Sequence, residues 1–185
     1  MDEKTKMLLE AAKEGNDAGV LRALELGADV NAMRPLTSLT ALLLALEWNH
    51  FATARLLVQR GANIDRVNSN GWTVLHFISS CGTAAAIKAI LALGANVNCR
   101  TDEGFTALMH AVENNDSEVV ALLIEAGADV KLRGRDGTAL DISRTLLEND
   151  EVVSLLTEAG RRQEATMLLN WMLAMAPLHL PICEY

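Results

Sequence analysis

The sequence predicts an all-α solenoid of about five stacked helix–turn–helix repeats, joined by β-turn or hairpin connections and followed by a C-terminal helix. Two motifs recurring in one register predict it, together with a composition suited to close helix contacts. The first motif is Gly-Ala, then Asp or Asn, then an aliphatic residue. It stands at Gly27-Ala28-Asp29-Val30, Gly61-Ala62-Asn63-Ile64, Gly94-Ala95-Asn96-Val97 and Gly127-Ala128-Asp129-Val130, with a degraded copy from Gly160. These glycines are 34, 33, 33 and 33 residues apart. The second motif runs Leu39-Thr40-Ala41-Leu42, Trp72-Thr73-Val74-Leu75-His76, Phe105-Thr106-Ala107-Leu108 and Gly137-Thr138-Ala139-Leu140, with threonines 33, 33 and 32 apart. Self-similarity at a fixed period is the signature of a repeat array. Half of the chain is apolar but only 4% is aromatic, and there are three prolines. That balance favours helices packed through Leu, Ala and Val, with long stretches free of breaks.

Taken in order, residues 1–34 form the first repeat. Its first helix lacks the Thr motif, and Glu3, Lys4, Lys6 and Glu10 give it the charged outer face of a capping repeat. Residues 35–67, 68–100 and 101–133 form three regular repeats. Residues 134–165 form an altered fifth, one residue short before Thr138 and one long between Leu140 and Asn149. Thr40, Thr73, Thr106 and Thr138 sit where a first helix starts and can cap its free amides. Gly27, Gly61, Gly94 and Gly127 sit just past a second helix, where a left-handed residue ends it. Gly71, Gly104 and Gly137 occupy the turn ahead of the Thr. Helices this short are unstable alone, so neighbouring repeats must cover their apolar stripes.

This pattern resembles the ankyrin repeat, whose period is about 33 residues. The resemblance covers residues 1–165. The family's Thr-Pro-Leu-His signature is imperfect: Ala41, Val74, Ala107 and Ala139 replace the proline, and only His76 keeps the histidine. The resemblance implies a protein-binding module (adaptor, scaffold or inhibitor) that uses its turn tips and inner helices, both on the concave side, with a targeting subunit of an enzyme complex as an alternative. Carried over by register, the variable surface positions are Leu36, Thr37, Leu39, Glu47 and Trp48 in repeat two. In repeat three they are Ser69, Asn70, Trp72, Ser80 and Cys81, and in repeat four Asp102, Glu103, Phe105, Glu113 and Asn114. In repeat five they are Arg135 and Asp136.

Leu39, Trp72 and Phe105 share one slot in successive repeats. They are expected to form a continuous apolar stripe, with Trp48 close by and Trp72 a binding anchor separable from the fold. Glu47, Asp102, Glu103 and Glu113 would frame it with negative charge, which suits a basic or amphipathic partner segment. The competing expectation is that these side chains merely pack on the neighbouring turn.

Residues 166–185 leave the repeat pattern. Met167, Leu168, Leu169, Trp171, Met172, Leu173 and Met175 make a nearly all-round apolar helix that Pro177 ends, followed by an extended tail. The segment reads as a cap over repeat five, with docking of a partner, self-association of the protein, or membrane insertion as alternatives; otherwise a monomer is expected.

Other function classes have little support. The net charge is −8, without the basic face a nucleic-acid binder needs. Cys81, Cys99 and Cys183 have no paired spacing, so neither a disulfide framework nor a metal site is expected. The His residues His50, His76, His110 and His179 lack metal-ligand spacing, and His76 is expected to bond backbone between repeats. No phosphate-cradling glycine loop is present. An enzyme, a cofactor and a membrane span are therefore not expected. The cysteine usage and charged N-terminus fit a cytoplasmic protein, with the nucleus as an alternative.

Overall fold

The computed structural model describes residues 1–34, 38–146 and 149–175. Among them, five helix pairs follow one another: α1 (Glu3–Glu14) with α2 (Asp17–Glu25), α3 (Ala41–Glu47) with α4 (Phe51–Gln59), α5 (Val74–Cys81) with α6 (Ala84–Ala92), α7 (Ala107–Glu113) with α8 (Ser117–Glu125), and α9 (Ala139–Leu146) with α10 (Asp150–Met175). A two-stranded antiparallel hairpin, β1 (Arg133–Gly134) and β2 (Gly137–Thr138), leads into the fifth pair. The first helices α1, α3, α5, α7 and α9 touch in sequence and form one column. Second helices stack beside them, as α2 on α4, α6 on α8 and α8 on α10.

The first helices hold most of the core. In α3 every residue from Ala41 to Leu46 is buried, and in α7 every residue from Ala107 to Val112. The outer helix α8 buries only Val119, Val120 and Leu123, one stripe of its surface. Each layer therefore depends on its neighbours for burial.

Local chemistry at the helix ends follows the motifs. Thr40 and Thr106 accept bonds from the amides of Leu43 and Met109, at 3.2 and 3.3 Å. Thr73 shares a capping box with His76. Thr138 and Asp141 cap each other: the amide of Asp141 donates to the Thr138 hydroxyl at 3.2 Å, and the amide of Thr138 to the Asp141 carboxylate at 2.9 Å. The first helix, lacking a Thr motif, is capped by Asp2, which accepts from the amide of Thr5. Gly27, Gly61, Gly94 and Gly127 all have φ between 84° and 95°, a conformation costly for any residue with a Cβ.

A polar ladder joins the outer loops. Asn31 accepts from the amide of Asn63 and donates to the carbonyl of Gly61. Asp65 accepts from the amide of Asn96. Asn98 accepts from the amide of Asp129 and donates to the carbonyl of Gly127. The next member of this series is Lys131, which has no acceptor. Gln163 of α10 fills the gap from the other side, donating to the carbonyl of Ala128 at 2.7 Å and accepting from the amide of Val130 at 3.3 Å.

This reversal shapes the C-terminal end. Where earlier repeats turn after their glycine, Gly160 lies inside α10, and Arg161, Arg162 and Gln163 continue the helix. The expected boundary after residue 165 is not a structural break. Nor do the described side chains of the expected cap cover repeat five: residues 164–172 are all exposed. Repeat five instead closes the stack with its own polar substitutions. Arg144 is exposed at the position where repeat four has the fully buried Val112. The expected helix stop at Pro177, the tail 178–185, and the surface positions Leu36 and Thr37 lie outside the described residues. Among the described residues, no helix is long and apolar enough to cross a membrane.

Candidate functional site

The turn tips ahead of the first helices are linked by backbone bonds. The amide of Asp102 donates to the carbonyl of Asn70 at 3.1 Å, and that of Arg135 to the carbonyl of Glu103 at 3.1 Å. Asn70, Asp102, Glu103, Arg135 and Asp136 therefore form one row, and all five are exposed. Arg100 braces it from below by donating to the carbonyl of Arg133 at 2.7 Å.

Beside the row lies an aromatic and histidine cluster. Trp72 is half-buried, with its ring centroid 4.4 Å from His110 and 5.0 Å from Phe77. Phe105 lies 5.4 Å from His110 on the other side. Phe105 is only 4% exposed, so it is core and not part of a surface stripe. The cause is the β1–β2 hairpin: Gly134 lies so close that a Cβ there would stand 3.1 Å from the Phe105 ring. Each aromatic in this slot is overlaid by the following repeat, and the fourth repeat is overlaid most because its successor carries a hairpin. Leu39 and Trp72 remain partly exposed. Trp72 is a packed residue with an exposed edge, in contact with Phe77 and His110.

His110 and Glu113 form the inner wall. The His110 Nδ1 lies 3.1 Å from a Glu113 carboxylate oxygen. Burial lowers the His110 pKa, keeping the ring neutral, so Nδ1–H donates. Burial also raises the Glu113 pKa, and Asp136 adds to this while Arg135 opposes it. Glu113, Asp136, Glu103 and Arg135 thus share one electrostatic neighbourhood. Glu113 and Asp136 line a hollow with Ile142 and Thr145. A second hollow is lined by Asn70, Trp72, Thr101, Asp102 and Glu103.

Arg135 holds the Glu103 carboxylate at 2.8 Å and approaches Asp136 at 3.5 Å. Both bridges are on exposed side chains, where solvent screening leaves them weak. Three carboxylates, those of Glu103, Glu113 and Asp136, act on the Arg135 guanidinium, and Asp102 stands in the same row of turn tips.

The remaining expected positions fall elsewhere. Glu47 and Trp48 are exposed at the far end of α3, roughly 10 Å along the helix from its Thr40 cap. Trp48 is capped by Lys13, whose Nζ lies 4.8 Å from its ring centroid, so it belongs with repeat one and not with Trp72. Cys81 is exposed and its thiol points to the carbonyl of Phe77. Asn114 bonds the carbonyls of Ser79 and Ser80 and ties repeats three and four together. Sequence reasoning missed His110 and Gln163. His110 carried no signal, but Lys131 interrupting the series Asn31, Asp65, Asn98 did.

Comparison with known proteins agrees with this geometry. No curated protein matches the chain significantly. A family model described as ankyrin repeats (3 copies) matches residues 8–101, 61–134 and 78–167, overlapping segments that together take in all five helix pairs. The lined-up threonine caps, the left-handed glycines and this match lead to one assignment: the chain belongs to the ankyrin-repeat family.

Proposed function

We propose that the protein is a binding module, acting as adaptor, scaffold or inhibitor, whose turn tips and inner helices in repeats three to five hold a basic segment of a protein partner. Ankyrin repeats are in general protein–protein interaction modules, which supports the class of function. The observation that carries the finer reading is the grouping of Glu103, Glu113 and Asp136 around the exposed Arg135 guanidinium, with Asp102 in the same row and the open edge of Trp72 beside it. The surface bridges of Arg135 are weak enough for a partner cation to displace it. Complementary charge would steer encounter and fix register, and the Trp72 edge would add a cation–π or apolar contact. Glu47, Trp48 and Cys81 lie outside this cluster and extend the surface at most.

Affinity capture with the intact chain and with a Glu103→Lys/Asp136→Lys variant tests the reading. Both side chains are exposed, so the variant should melt at the same temperature. The proposal expects the intact chain's partners to be lost from the variant. Equal capture by both would refute it.

A further inference from the structure

The free end of α10 presents an apolar surface that the concave-face reading does not use. Met167, Leu168, Leu169, Trp171 and Met172 are each 57–69% exposed. Among the described residues they follow the last tie to the stack, at Gln163 and the Lys131–Glu164 ion pair. Glu164, Met167, Leu168 and Trp171 line one hollow on the helix surface. Their spacing is i, i+3, i+4, i+7, the four-residue hole that receives a side chain from a facing helix.

We propose that this hole is filled by the same segment of a second copy, running antiparallel about a two-fold axis. The set is self-complementary, as a two-fold contact requires: one copy's Met167 or Leu168 supplies the knob for the other's hole. With Met167 opposite Leu168, the Trp171 of each copy faces the Glu164 of the other. The indole N–H then donates toward a carboxylate. A parallel pair would set Arg161 and Arg162 of the two copies side by side and drive the two stacks together. The antiparallel pair keeps the arginines and the stacks at opposite ends. Met167, Leu168, Trp171 and the flanking Met172 lie on this face and hold on the order of 500 Å² of exposed surface, below a standard interface and suited to a weak, concentration-dependent dimer. Net charge −8 on each copy opposes the association, so salt should strengthen it.

Sedimentation velocity of the full chain at about 5 and about 100 µM tests this, since mass action shifts a dimer between them. The expected result is a dimer at the higher concentration that gains population in high salt. Leu168→Glu should raise the dimer Kd at least about tenfold, with an unchanged melting temperature at the lower concentration, where both proteins are monomeric. Glu103→Lys/Asp136→Lys lowers the net negative charge and should dimerise at least as well as the parent does, which separates this proposal from the partner site. A parent chain that is monomeric at both concentrations overturns the proposal. Trp171 emission shielded from a soluble quencher in that monomer would identify residues 176–185 of the same chain as the cover. Dimerisation unaffected by Leu168→Glu overturns it equally.

Discussion

The imidazole Nε2 of His76 donates to the carbonyl of Phe105 in the next repeat, at 3.2 Å. The other ring nitrogen accepts from the backbone amide of Thr73 at 3.1 Å. One buried ring therefore closes its own helix cap and stitches two repeats together. Both bonds together require the neutral Nε2–H tautomer.

A pH dependence follows. Burial, with His110 as a second cause, lowers the His76 pKa to about 4. The unfolded chain titrates near 6.5, so between these values it binds more protons than the native state. Stability should therefore fall as pH drops from 6.5 toward 4, by about 3 kcal/mol if the whole difference is expressed. Urea unfolding at pH 7.5 and 4.5 measures it. His76→Gln keeps an acceptor for the cap but does not titrate, and should show a smaller loss. An equal loss in both proteins would show that His76 is not the origin.

Phe105 and Trp72 share a slot but differ in cost. Phe105→Ala should destabilise by about 3–5 kcal/mol, because it empties a site sealed by the hairpin. Trp72→Ala should cost less, about 2–3 kcal/mol, because one edge already meets solvent while the rest packs on Phe77 and His110. Thermal and urea melts of the two variants decide between this ordering and a surface role for both. A Phe105→Ala protein as stable as its parent would contradict its burial.

Gly160 distinguishes a continuous α10 from a normal repeat ending. Its Cβ position is 3.8 Å from Val130, ordinary contact distance. Gly160→Ala should therefore stabilise the protein by about 0.5–1 kcal/mol, through helix propensity. At Gly127, where φ is +90°, the same substitution should destabilise. Gln163→Ala should cost about 1–3 kcal/mol by leaving the Val130 amide and the Ala128 carbonyl without partners. Denaturation midpoints of the three variants test the account together.

Much of this was legible in the sequence because it is local. Thr40, Thr73 and Thr106 cap the helices they precede, and Gly27, Gly61 and Gly94 take a backbone conformation that only glycine adopts cheaply. Such rules need no knowledge of what lies above or below. Phe105 was misread because its burial depends on the hairpin of the following repeat, and Phe105 stands in the same slot as the partly exposed Trp72. The C-terminal helix was not legible in its direction, for a different reason. Its apolar composition suited a cap, but the direction of α10 is set by Gln163 bonding back to repeat four where Lys131 cannot bond forward. Of the expected binding positions, Asn70, Trp72, Asp102, Glu103 and Glu113 do gather on one face, because turn tips and inner-helix ends repeat in register. Trp48 does not join them, because a full helix length separates the two ends of α3.

The most direct test of the central claim is an amide-resonance titration of the intact chain with a short arginine-rich helical peptide, repeated at high salt. The account predicts shifts concentrated at Asn70, Trp72, Asp102, Glu103, Glu113 and Asp136, an affinity that falls with salt, and loss of both in Glu103→Lys/Asp136→Lys. Shifts spread evenly over the acidic surface, or undiminished in that variant, would contradict it.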